Sequence, residues 1–151
     1  MCATEQLLIC VHKTAEMGLL AADKLIETTR DDNFREKLCD SREVYKRVWM
    51  SADMLLKARG GDDSGVSDMA KVMCDMSIDF TALQDDSTDK LLEKLSKGNE
   101  RGLKELEKAF SECGADADEE VVNLANVLRK LLLKEREDID DMQGSGENAK
   151  F

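Results

Sequence analysis

Apolar side chains recur along this chain at alternating spacings of four and three. Between Thr4 and Thr29 the series Leu8, His12, Ala15, Leu19, Ala22 and Ile26 keeps that rhythm, and Leu7, Val11, Gly18 and Leu25 widen the stripe. A period near 3.6 places these positions on one face of a helix. After the polar break TTRDD, with Asp31 or Asp32 as cap, the series Phe34, Leu38, Ser41, Tyr45, Val48, Ala52 and Leu55 continues to Gly60-Gly61. Glycine there stops a helix at low cost. A shorter segment starts at Ser64 or Ser67, with Val66, Met69, Met73, Met76, Phe80 and Leu83 as its stripe. A fourth runs from Thr88 to Cys113, with seam positions Leu92, Leu95, Asn99, Gly102, Leu106, Ala109 and Cys113. A fifth follows DADEE, capped by Asp116 or Asp118, through Val121, Ala125, Leu128, Leu132, Glu135, Ile139 and Met142. No run alternates with a period of two, so the pattern predicts helices and no strands.

Four long amphipathic helices cannot bury their stripes singly, and a four-helix bundle is the standard solution. The fold expected is all-α: an up-down-down-up bundle with residues 64–83 as a short additional crossover helix. Residues 1–142 form one domain and residues 143–151 a flexible polar tail. The 151-residue length is enough for one real core.

Charge and cysteines narrow the setting. The net charge of −11 repels nucleic acid and anionic lipid at long range, and no basic stripe offsets it. No run reaches the length and apolarity of a membrane span. The five cysteines are odd in number, fall on different segments and form no CxxC, which argues against a disulfide framework or a zinc knuckle. The expected setting is the cytoplasm.

Several segments resemble an uncharacterised bacterial ferritin-like family, a four-helix-bundle domain of unknown function. They are TEQLLICVHKTAEMGLLAAD, the helix ending in ARGG, and SGVSDMAKVMCDMSIDFTALQDDSTDKLLEKLSKGNERGLKELEKAF, with KGNERGLKEL the most telling part. The resemblance spans about residues 4–142. It implies the up-down-down-up bundle and no particular activity.

Ferritin-like di-iron centres take a Glu from each of two helices and Glu-x-x-His from each of the other two. His12 is the only histidine, and Glu43, Glu100 and Glu137 are followed at the third position by Lys46, Leu103 and Asp140. The ordinary di-iron site is therefore not encoded, and no cofactor is expected. Hard cations such as Mg, Ca or Mn accept all-oxygen ligands, so Glu16, Glu43, Glu100 and Glu135 are the candidate ligands of a weak divalent-cation site. Asn99 and Glu135 stand on the seams, where polar groups need a partner. Asn99 is expected to set register as a buried amide. Glu135 is expected to lean to solvent or pair with a Lys or Arg. His12 lies on the core side of its helix, four residues before Glu16, with no second imidazole or thiol in register.

Glycine inside a helix costs about 0.8–1 kcal/mol against alanine. Gly98 and Gly102 therefore need compensation: close helix packing, room for a small ligand or water beside Asn99, or a kink. Close packing is the leading expectation, and Gly18 is read the same way. The chain is expected to be a non-enzymatic binding, structural or stress-associated bundle. It is expected to pair as a homodimer through an exposed Trp49 and methionine-rich faces. The alternative is a ferritin-like metal-binding protein with a degenerate all-carboxylate site.

Overall fold

The computed structural model describes residues 2–60 and 88–148. The expected crossover helix lies outside the described residues. Four helices account for nearly all of the rest: α1 (Ala3–Thr28), α2 (Asp32–Ala58), α3 (Thr88–Cys113) and α4 (Glu119–Asn148). No strand occurs among the described residues. The described residues are all-α, as their periodicity predicts. None of these helices is long and apolar enough to cross a membrane.

Local chemistry sets the ends. Asp31 caps α2, its Oδ1 accepting the Phe34 N–H at 2.9 Å. This satisfies one of the amides that a helix start leaves unpaired. Gly60 takes a positive φ of 71° just past Ala58, the conformation a side chain disfavours. Thr4, expected to cap its own helix, lies inside α1, which begins at Ala3 without a side-chain cap. Its hydroxyl instead accepts the Asp118 N–H at 2.9 Å and ties the start of α1 to the start of α4. The last helix runs through QGSGEN to Asn148, beyond the boundary expected at Met142. Nothing in that run forbids helix; its glycines cost only about 1 kcal/mol each.

α1 packs against α2 and α3, α4 packs against α3 and α2, and α1 also touches α4; among the described residues the backbones of α2 and α3 do not approach closely. Cross-helix bonds fix the register. Thiol Sγ of Cys113 donates to Gln6 Oε1 at 3.2 Å, joining the end of α3 to the start of α1. Arg42 pairs with Asp23, and Lys37 lies 3.8 Å from Asp138. The main core gathers Leu7, Leu8, Val11, Val48, Leu106 and Leu128, all essentially closed to solvent. A second cluster forms at the far end from Leu25, Phe34, Leu38, Leu92, Leu95 and Ile139. These residues are nearly all members of the stripes counted in the sequence, so periodicity alone selected them. Between the two clusters the seam turns polar.

Candidate functional site

Glu135 is only 5% exposed and Asn99 only 3% exposed, so both seam polar residues are buried. Glu135 therefore neither leans to solvent nor pairs with a Lys or Arg. Four helical spacings made it a seam residue, and the facing helices supply neutral donors in place of a cation. Tyr45 Oη donates to the carboxylate, 3.2 Å from each oxygen. Ser41, one turn earlier on α2, adds a smaller stabilisation of the charged carboxylate. From α3, Asn99 Nδ2 lies 3.3 Å from Glu135 Oε1 and donates to the Leu132 carbonyl at 2.7 Å. Two acceptors facing Nδ2 fix the orientation of the amide. Its Oδ1 is thus a buried acceptor without a partner among the described residues, a condition that costs free energy when left uncompensated.

Burial raises the Glu135 carboxyl to about 7, even though its bonds to Asn99 and Tyr45 pull the other way. The phenol of Tyr45 is raised well above its ordinary value, by burial first and then by the neighbouring carboxylate, so it stays a donor.

Beside this group opens a cavity of about 400 Å³ between α1, α3 and α4. That is far more than a single water needs. Asn99, Glu135 and Tyr45 line its inner wall, and Met17, Ala21, Leu25, Leu95 and Leu132 supply apolar surface. Lys94, Lys97 and Arg101 line it too. At i, i+3 and i+7 they share one face of α3; Lys94 is half-buried, Lys97 and Arg101 exposed, which places them at the mouth.

The glycines explain how the space exists. A β-carbon on Gly18 would stand 2.3 Å from the Tyr45 ring, so only glycine lets that ring lie against α1 and reach Glu135. At Gly102 a β-carbon would meet Thr14 at 3.4 Å, an ordinary contact. At Gly98 it would meet nothing within 4 Å, and Gly98 lines the cavity. Close packing accounts for Gly18, whereas Gly98 borders open space beside Asn99. Helix α3 runs on through both glycines without a break. Gly98→Ala should therefore stabilise the fold by about 0.8–1 kcal/mol, because propensity improves and nothing is struck. Urea unfolding of both proteins checks this; a destabilised variant would mean that the space at Gly98 is filled.

The four carboxylates named from the sequence are not gathered into one cluster. Glu43 lies exposed beside Arg42, at 3.7 Å, and Glu100 is exposed on α3. Glu16 accepts the Trp49 Nε1–H at 3.2 Å. Among the described residues no three His, Cys, Asp or Glu stand close enough to hold a metal ion. The helices that carry them form as expected, but Glu43 and Glu100 leave their helices on the solvent side. Trp49, expected to be exposed, is half-buried against the main core, since its indole bonds Glu16 and stacks on His12 with ring centroids 5.4 Å apart. Met50 and Met54 remain exposed on α2. His12 is 8% exposed, and its Nε2 lies 3.3 Å from Asp53 Oδ1 without the alignment of a hydrogen bond. Asp53 is held below its ordinary range chiefly by its bond to Lys57. His12 thus belongs to a structural contact between α1 and α2.

Tyr45 was legible only as a stripe residue. The signal that could have found its role was the coincidence of Ser41, Tyr45, Asn99 and Glu135 as polar groups on otherwise apolar seams. Among the described residues, fold and site define four long helices with a largely apolar, partly open cavity that has a few buried polar groups on its wall. No family model, curated protein or solved structure matches the chain.

Proposed function

We propose that this chain is a non-enzymatic binding protein that holds a small amphipathic molecule in the cavity between α1, α3 and α4. The observation that carries the proposal is a largely apolar cavity of about 400 Å³ with the buried Asn99 and Glu135 among its lining residues and Lys94, Lys97 and Arg101 at its mouth. Ligand sites are typically concave and mostly apolar, with a few convergent polar groups. Donors from Tyr45 and Asn99 hold Glu135 in place at the buried side of this space. We further propose the ferritin-type up-down-down-up course, as the family resemblance implies. The tie between the starts of α1 and α4 and the lack of close backbone approach between α2 and α3 among the described residues support it. Self-association, where it occurs, would use Met50 and Met54, the exposed apolar side chains of α2.

The test uses an environment-sensitive anionic dye, anilinonaphthalene sulfonate, with the full chain. Saturable fluorescence enhancement at about one dye per chain is expected, since the dye matches an apolar space with cations at its mouth. Gly98→Leu, which projects a side chain into that space, should abolish it while cooperative melting is retained. Undiminished dye binding by a folded Gly98→Leu protein would refute the assignment.

A further inference from the structure

We propose that the ligand of this cavity is a free single-chain carboxylate, its hydrocarbon tail between α1, α3 and α4 and its head at the mouth beside Lys94 and Arg101. The inference rests on the binding function proposed above and adds the chemical class.

The interior decides the tail. Met17, Ala21, Leu25, Leu95 and Leu132 line the space, and Gly98 borders it without a side chain. Among the buried polar groups on the wall, Asn99 donates to the Leu132 carbonyl and to Glu135, and Tyr45 donates to Glu135. These donors are already spent on protein acceptors, so what the interior offers a ligand is burial of hydrocarbon. A carboxylate head placed inward would also stand beside the Glu135 carboxyl, and two such groups in a dry site oppose each other's ionisation. The head therefore belongs at the opening.

The mouth decides the charge of that head. The chain carries 33 acidic against 22 basic residues, yet the ionisable residues at this mouth are Lys94, Lys97, Arg101 and one carboxylate, Glu105. The local sign is opposite to that of the whole. Lys97 lies 3.4 Å from Glu93. Lys94 and Arg101 form no ion pair among the described residues, and they stand about two turns apart on one face of α3, on either side of Gly98. Set against Glu105 they leave one net positive charge, which a monoanion neutralises and a doubly charged phosphate would exceed. Arg101 offers a planar fork that matches a carboxylate, and Lys94 a point charge. A cleft with apolar walls and one sign of charge at its mouth concentrates the opposite ion. The overall charge of −11 opposes approach to an anionic bilayer, so the ligand is a free monomer.

Calorimetric titration of the full chain with straight-chain carboxylates of graded length, kept below their micellar concentrations, tests the class. The primary alcohols and alkylammonium ions of the same lengths are the controls. One carboxylate length should bind saturably, the matching alcohol about tenfold more weakly, and the alkylammonium more weakly still. Added salt should weaken the carboxylate and leave the alcohol unmoved. The Lys94→Gln, Arg101→Gln pair should bring the carboxylate down to the affinity of the alcohol. The Lys130→Gln, Lys134→Gln pair removes the same charge from exposed positions on α4 that do not line the cavity, and should leave carboxylate affinity unchanged. Thermal melting checks that each variant is folded. Equal affinity for the alcohol, or equal losses in the two charge pairs, would overturn the head assignment and leave Lys94 and Arg101 as side chains whose stems cover apolar surface. If neither carboxylate nor alcohol binds while the dye still binds in a Gly98-dependent way, the ligand class is wrong and the binding function stands. If the dye fails as well, the binding function falls with it.

Discussion

Gly18→Ala is expected to destabilise the protein by about 1–5 kcal/mol, the largest effect anticipated for so small a change. The added methyl would stand 2.3 Å from the Tyr45 ring. The contact is with a ring of the main core cluster, 2% exposed, so it cannot swing into solvent. Overpacking of that kind costs about 1–3 kcal/mol. The displaced phenol also loses its bonds to Glu135, leaving a buried carboxyl short of a donor, for a further loss of about 1–3 kcal/mol. The helix-propensity gain of alanine, about 1 kcal/mol, offsets part of this. Urea unfolding measures the total. A double-mutant cycle with Tyr45→Leu identifies the cause, since the penalty of Gly18→Ala should shrink once the ring is gone. An unchanged penalty in the Tyr45→Leu background would show that the ring is not what Gly18 accommodates.

The second large effect is on the pH dependence of stability. Glu135 is raised from an ordinary 4.5 to about 7 by burial, so the folded state holds its proton more tightly than the unfolded chain. The folded state binds more protons between these values, and stability falls as pH rises through that window. The neutral carboxyl contributes fully below about pH 4.5, and the contribution is gone above about pH 7. At about 1.4 kcal/mol per pH unit the loss is about 3 kcal/mol. Asp138 on α4 adds to the upward shift, while Ser41, Tyr45 and Asn99 oppose it through hydrogen bonds to the carboxylate. Many exposed acids also titrate in an acidic chain, so the comparison with Glu135→Gln isolates this group. The stability of the parent relative to that variant should decline by about 3 kcal/mol from pH 4.5 to 7. A pH-independent difference would mean that Glu135 titrates at its ordinary value, and that water reaches it.

Much of the architecture was legible in the residues. The stripes on α1, α2, α3 and α4 follow from helical periodicity, and an amphipathic face has to be buried whatever its partner. Asp31 and Gly60 marked the ends of α2 because capping depends on local groups. Thr4 shows the limit: a hydroxyl near a helix start suits capping of its own helix, yet its bond runs to Asp118, a residue of the opposite end of the chain. Trp49 likewise looked surface-facing by count, and only the approach of His12 and Glu16 across α1 drew it inward.

The candidate site divides along the same line. From the sequence alone came the four amphipathic helices, the one-histidine exclusion of an ordinary di-iron centre, and the oddity of Asn99, Glu135 and the glycines on their seams. Periodicity, residue inventory and propensity are properties of the chain itself. The structure alone decided which partners those groups meet: Tyr45 and Asn99 for Glu135, the Tyr45 ring for Gly18, and open space for Gly98. It also left Glu43 and Glu100 exposed while Glu135 is buried, so the four carboxylates do not gather into one cluster among the described residues. The physical reason is that a helix position fixes which way a side chain leaves its own axis. What it meets depends on the rotation, spacing and height of neighbouring helices, which are set by the packing of the whole core.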